Sequence, residues 1–421
     1  MDKREVKFTK PDISQLEIDN VTEVLRSGWI TTGPKTKLLE KKIASFIGDY
    51  NEEKTPRCIC LNSATACLEL SLRLLGIGSQ NGGSEDDEVI TCAYTYTSSA
   101  SVIRHVGAKI VLVDCSNKNG SIEMDYEKLE AAINKNTKAI IPVDIAGVPC
   151  DYDKIFEIVR NKRHLFIATS NLQKCLGRIA VVADSAHAFG ASYKGKRIGN
   201  VADFTAFSFH ATKNLSTGEG GALTFKSIDG INDFDIYHQV QLLSLHGQSK
   251  DAFSKDKLGS WEYDVEGTWY KLNMTDIMAA IGLGQLERYP NMLARRRQII
   301  EKYDRAFASL GIEVLDHFNR NYISSGHLYL TRIPGITLEE RNRIICQLAD
   351  LGICCNVHFK PLPLLTAYKN LGFDIKDYPN SYSKFENEIT LPLHTKMSDE
   401  DVEYVIECFN SVVLKYLGKG K

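Results

Sequence analysis

No run of the 421 residues approaches the ~20 consecutive apolar residues that a membrane-spanning helix needs. Neither charge dominates: 51 Lys and Arg stand against 53 Asp and Glu, a net charge of -2. That balance gives no bulk pull toward nucleic acid or an anionic membrane. The first residues, Met1-Asp2-Lys3-Arg4-Glu5-Val6, carry no apolar core of a secretory signal. Cys58/Cys60 and Cys354-Cys355 lack the spacing of zinc ligands, so no metal site is expected. The eleven cysteines, an odd number, lie mostly in apolar runs such as Cys58-Ile59-Cys60-Leu61. Reduced, buried thiols in a cytoplasmic protein are the expectation. Internal repeats and low-complexity tracts are absent as well. What remains is ordinary globular usage in a chain long enough for roughly two to three domains.

From about residue 57 to 225, short Val- and Ile-rich runs alternate with helical patterns. The runs are Arg57–Leu61, Val89–Cys92, Lys109–Asp114, Ala139–Val143, Ile179–Asp184, Thr205–Ser208 and Ala222–Phe225. They barely alternate in polarity, as strands buried on both faces do. Between them, Thr65–Leu75, Thr97–His105, Tyr126–Asn134 and Tyr152–Val159 read as helices. This rhythm predicts an α/β fold: a mostly parallel seven-stranded sheet covered by helices, with ligands at the carboxyl ends of the strands. Asn161–Arg178 reads as an inserted loop. After Met274 the rhythm changes. Thr275–Arg288 reads as one amphipathic helix, and Pro290 as the start of a second through Leu310. Ser398 and Asp401 read as a capping box before a last helix with Val402, Val405, Ile406, Phe409 and Val413 on its apolar face. A large domain over residues 1–285 and a smaller C-terminal α/β domain over 286–421 follow.

Five segments carry chemistry. In Phe207–Gly221 an apolar strand is followed by His210, Lys213 and a glycine-rich turn. Lysine is the side chain that forms Schiff bases with carbonyl compounds, pyridoxal phosphate among them. Asp184 closes an apolar strand, where a carboxylate is costly unless paired; it either caps a helix or faces a cation such as a protonated pyridine nitrogen. Asn62-Ser63-Ala64-Thr65-Ala66 joins a strand to a helix, so Asn62 or Ser63 caps that helix or its N-terminus holds a phosphate. Thr91–Thr97 brings Tyr94 and Tyr96, core residues or a ring to stack on a planar group. Ser208 is an ordinary strand-end serine or a second phosphate hydroxyl.

Taken together, and in this order, these segments resemble the DegT-type (DegT/DnrJ/StrS) sugar-nucleotide aminotransferases. So do Trp29-Ile30-Thr31-Thr32-Gly33-Pro34 and Asn273–Ala280, and the resemblance runs from about residue 6 to 415. It implies a fold-type I enzyme dependent on pyridoxal 5'-phosphate, a homodimer with sites shared between subunits. It implies Lys213 as the lysine that binds the cofactor, Asp184 on the pyridine nitrogen and Tyr96 on the ring. Ala64, Thr65 and Ser208 would hold the phosphate, and His210 would line the site. Asn273 or Lys271 would reach the partner's phosphate. Many members have Gln where this chain has His187, against the cofactor's phenolic oxygen; an imidazole there is expected to make the chemistry follow its protonation. The implied reaction is ping-pong amino transfer, with glutamate as donor and a nucleotide-linked keto-sugar as acceptor, in amino-sugar or surface-polysaccharide biosynthesis. Trp29, Thr31 and the segments around His327 and His358 are expected near the substrate. Two alternatives stand beside it. Sugar dehydratases of this fold carry histidine at the lysine position, whereas this chain keeps Lys213. A cofactor-free regulatory or binding protein would have no use for Lys213, Asp184, Thr65 and Ser208 together.

Overall fold

Seven strands form the central sheet of the computed structural model, which describes residues 4–48, 55–250 and 261–417. They are β1 (Cys58–Leu61), β2 (Glu88–Cys92), β3 (Lys109–Val113), β4 (Thr137–Ile141), β5 (Ala180–Asp184), β6 (Phe204–Ser208) and β7 (Gly221–Phe225). Their order across the sheet is β1-β7-β6-β5-β4-β2-β3. β7 is antiparallel to both of its neighbours; every other pairing is parallel. The strands match the sequence reading to within two residues. Their near-continuous hydrophobicity has the predicted cause. Cys58 and Cys60 face one apolar layer and Ile59 and Leu61 the other, and Val181 and Val182 divide in the same way.

The inserted segment Asn161–Arg178 is more ordered than a loop. It contains a 3₁₀ turn, Arg163–Leu165, and a helix, Asn171–Leu176, capped by Ser170. The Gln173 amide donates to the Leu75 carbonyl at 2.9 Å, which fastens this helix beneath Ala64–Leu74.

A second correction concerns Pro290. One helix runs unbroken over Asp276–Phe307 with Pro290 inside it. An interior proline removes one backbone bond and costs about 3 kcal/mol in isolation. Here buried side chains on both sides of it, Leu286 and Tyr289 before and Met292 and Ile299 after, hold the rod in place. Its C-terminal half packs on a small antiparallel sheet, β8 (Glu313–Val314), β9 (Tyr329–Arg332) and β10 (Glu388–Leu391). Helices Leu338–Asp350 and Asp399–Leu417 complete that layer. The capping box of the last helix forms: Asp401 N–H donates to Ser398 Oγ at 3.1 Å and Ser398 N–H to Asp401 Oδ2 at 3.0 Å.

The segments Trp29–Pro34 and Asn273–Ala280 meet. Buried Asp276 accepts from the N–H groups of Gly33 and Thr36 at 2.8 and 2.9 Å and from the Thr36 hydroxyl at 2.7 Å. It thereby caps the helix Pro34–Phe46 from another element. All eleven cysteines are unpaired; Cys346 and Cys354 are exposed, and seven of the rest are buried. Among the described residues no helix is long and apolar enough to cross a membrane.

Candidate active site

The chain leaves β6 at Ser208 and returns into β7 at Gly221, and the loop between them is tied to itself. Phe209 N–H donates to the Gly220 carbonyl and Thr217 N–H to the Phe209 carbonyl, both at 2.8 Å. Phe209 and Leu215 anchor it in the core. The glycines at its end have a steric cause. A Cβ on Gly221 would lie 2.5 Å from the Ser63 carbonyl carbon and 2.6 Å from the Ala64 nitrogen; one on Gly220 would lie 2.2 Å from the Thr217 hydroxyl. Only a bare backbone lets the lysine loop lie against the start of the helix Ala64–Leu74. Gly221→Ala is therefore expected to cost about 1–3 kcal/mol and to weaken cofactor binding. Thermal melting and cofactor titration read the two effects separately.

That helix start is an anion cradle. Ser63 is the N-cap and accepts from Ala66 N–H at 3.1 Å. The first-turn amides of Ala64 and Thr65 have no acceptor within the helix. Across the sheet, Asp184 ends β5, buried and aimed by two donors. Ser99 Oγ donates to its Oδ2 at 2.6 Å, and Ala186 N–H to its Oδ1 at 3.2 Å. Thr95 Oγ1 backs Ser99 at 3.0 Å. Burial raises the Asp184 carboxyl above its ordinary range, against the pull of these hydrogen bonds and of Lys213.

Burial brings the Lys213 ammonium down to about 8, and the Asp184 carboxylate opposes that shift. The charge that acts on Lys213 is this carboxylate, and desolvation alone lowers it. Three imidazoles surround the amine. His187 Nδ1 accepts the Ala146 N–H at 3.1 Å, so its proton sits on Nε2. Burial and the nearby Lys213 charge push His187 well below 6.5. It stays neutral at physiological pH, and the expected titration of this position does not occur there. His327 packs against it, with ring centroids 4.4 Å apart, and is oriented by Asn214 at 2.9 Å. His358 lies beyond, between Phe8 and Phe359.

These groups line one cavity of about 450 Å³. Ala64, Thr65, Tyr96, Asp184, His187, Ser208, His210 and Lys213 all open onto it, with His327 and His358. Tyr96 is 59% exposed, and its ring meets Phe359 with centroids 5.9 Å apart. Asn273 and Lys271 lie outside it and bond to each other, and Asn273 also bonds the Thr32 hydroxyl at 2.5 Å. Trp29 turns its indole N–H to the Thr32 carbonyl at 3.2 Å and does not line the cavity. Ser99 went unnoticed in the sequence, although its i, i+4 spacing from Thr95 was a signal. A larger groove of about 830 Å³, between helix Tyr152–Asn161 and residues 315–322, holds none of the candidate residues. No cluster of metal-ligating side chains occurs among the described residues.

Pyridoxal phosphate fits this set: a helix N-terminus and Ser208 for its phosphate, Asp184 for its ring nitrogen, and a partly neutral lysine for its aldehyde. The protein's relatives agree. A solved structure of a putative sugar aminotransferase, Spr1654 from Streptococcus pneumoniae, superposes with a TM-score of 0.91 at 55% identity, over 98% of this chain and 100% of that one. Its pyridoxal phosphate form gives the same TM-score at 53% identity, over 98% and 99% of the two chains. Helicobacter pylori PseC, an aminotransferase of pseudoaminic acid biosynthesis, gives 0.82 at 25% identity, over 98% and 100%. The spore coat polysaccharide biosynthesis protein SpsC of Bacillus subtilis is 38% identical over 413 residues, 96% of each chain. These neighbours fix the fold as type I. The profile of the DegT/DnrJ/EryC1/StrS aminotransferase family matches residues 11–410, and the chain belongs to that family of pyridoxal phosphate enzymes.

Proposed function

We propose that this aminotransferase moves an amino group from glutamate to a keto-sugar carried on a nucleotide, in the biosynthesis of a surface polysaccharide. The observation that carries the reading is the single cavity joining the phosphate cradle, Asp184 and a lysine brought down to about 8. SpsC and the Spr1654 protein support the sugar and the polysaccharide. When bound, pyridoxal phosphate supplies a ring that takes up the electron pair released at the reacting carbon. The chain does the rest. Ala64, Thr65 and Ser208 would hold the phosphate, and Tyr96 would cover the ring. His187 Nε2–H would donate to the phenolic oxygen, as a glutamine amide would. Lys213 Nζ takes the proton from the reacting carbon and returns it, which requires an amine that is neutral for part of the cycle.

Asn273 or Lys271, neither of which lines this cavity, would serve the phosphate of a second copy, making the working unit a homodimer. The unpaired cysteines suit the cytoplasm. The division at 285/286 would place the cofactor on the first domain and a lid on the second, with helix Asp276–Phe307 as their shared rod. The test is a panel of nucleotide-linked keto-sugars incubated with glutamate and followed by product mass. An amino sugar is expected. A deoxy sugar without nitrogen, or no turnover of any member, counts against the reading.

A further inference from the structure

Glu388 is a buried carboxyl that amino transfer as described above does not use. It opens β10 with no exposed surface. Its side chain forms no ion pair among the described residues: Arg332 binds Glu313 at 2.7 Å, and Arg341 donates to the main-chain oxygen of Glu388 at 3.1 Å. Its oxygens instead meet His358 N–H at 2.8 Å and the Thr390 hydroxyl at 2.5 Å. Thr390 in turn lies 2.9 Å from His358 Nδ1. The pairing of Asn356 with Thr390, bonded in both directions at 3.1 and 2.8 Å, fixes this register. His358 lines the cavity, and its Nε2 bonds to no described residue and is not sealed from the cavity.

These atoms accommodate two proton arrangements. With Glu388 ionised, the Thr390 hydroxyl donates to it and His358 Nδ1–H donates to Thr390, leaving a lone pair on Nε2. With Glu388 protonated, the two side-chain bonds reverse: the acid donates to Thr390, Thr390 to Nδ1, and the proton of the imidazole sits on Nε2, while the His358 backbone N–H still donates to Glu388.

We propose that His358, Thr390 and Glu388 form a proton relay between the cavity and a buried carboxyl. A proton arriving at Nε2 makes an N–H bond there. The Nδ1 proton moves to Thr390 Oγ1, and the hydroxyl proton of Thr390 moves to Glu388. Three bonds to hydrogen form and three break, and the imidazole ends neutral in its other tautomer. This matters because burial beside Lys213 pushes the imidazolium down to about 3, so His358 cannot itself store a proton. Burial raises Glu388 to about 8, where both of its forms are populated near neutrality. The charges and titrating groups acting on the relay are Arg332, Arg341, Tyr94 and Cys355 around Glu388, and Lys213, His187 and His327 around His358.

The relay rests on the amino-transfer reading for its use. As nitrogen bonds to a ketone carbon, the C–O bond breaks and its electron pair leaves with oxygen. The relay protonates that oxygen twice from Nε2–H, first to a hydroxyl and then to the water that departs, and each time a proton lost by the nitrogen returns to Nε2. The reverse order serves the donor half of the cycle.

Thr390→Val removes the hydroxyl at nearly constant volume, Thr390→Ser restores it, and Glu388→Gln keeps an acceptor that cannot ionise. T390V and E388Q are expected to lower kcat about 10- to 100-fold with KM little changed, while T390S stays near wild type. The solvent isotope effect on kcat should rise in T390V. In cofactor-free wild type, the imidazole ¹⁵N signals of His358 should switch from Nε2–H to Nδ1–H as pH rises through about 8, and should not switch in T390V or E388Q. One tautomer across that range in wild type, or an unchanged kcat and isotope effect in T390V, overturns the relay. If wild type aminates no keto-sugar, the functional reading fails, and the ¹⁵N titration still decides the relay.

Discussion

A Lys213→Ala protein is expected to lose the visible absorbance of lysine-bound cofactor and at least about 10⁴-fold of its turnover. No other described amine lines the cavity, so nothing nearby can take both roles of attaching the cofactor and carrying the proton. The loop should survive the change. It is fixed by its backbone bonds and by Phe209 and Leu215, and Lys213 contributes only an N–H donated to the His210 carbonyl, which alanine keeps. The phosphate cradle is untouched, so K213A is expected to bind the cofactor reversibly. The pH dependence follows from the lysine's own titration. Only the neutral amine attacks an aldehyde, so capture of the cofactor by the free wild-type protein should speed up as pH rises, then level off above about 8. A rate that is flat through that region, or a K213A protein with full absorbance and turnover, would refute the assignment.

How much of this was legible in the sequence depends on how local each device is. The seven strands were, because a strand buried on both faces writes its apolar run in consecutive residues, as Val181-Val182-Ala183 does. The lysine loop was, because its glycines answer a close approach that few other residues tolerate. Pro290 misled, since a local breaker rule cannot see the buried residues packing both sides of one rod. Ser99 was a missed local signal. The direction of the His187 shift could not be read at all. It depends on burial, and then on the charges of Lys213 and His358, which only the assembled cavity brings together. The link from His358 to Glu388 was equally hidden, because those residues are thirty apart and meet only through the pairing of Asn356 with Thr390.

Asp184→Asn separates the electrostatics of the cavity from its shape. The amide is isosteric and can still bond Ser99, but it cannot hold a proton on the ring nitrogen by charge. Turnover is expected to fall about 10²- to 10³-fold while the cofactor still attaches to Lys213. Stability should move the other way in the free protein. A carboxyl raised by burial gives its most favourable contribution below its unfolded value and loses it as pH rises toward its folded one. At neutral pH, free D184N escapes that penalty and should melt no lower than free wild type. The cofactor should then stabilise wild type more than D184N, because only the carboxylate gains a cationic partner. Removing the charge also removes what holds Lys213 up, so the capture rate of D184N should level off at lower pH than that of wild type. Ser99→Ala keeps the charge and loses one donor to it, so its carboxyl should rise further and its turnover should fall between wild type and D184N. If D184N matches wild type in turnover, and if its melting gains as much from the cofactor, then Asp184 only caps its turn and the ring nitrogen is served elsewhere.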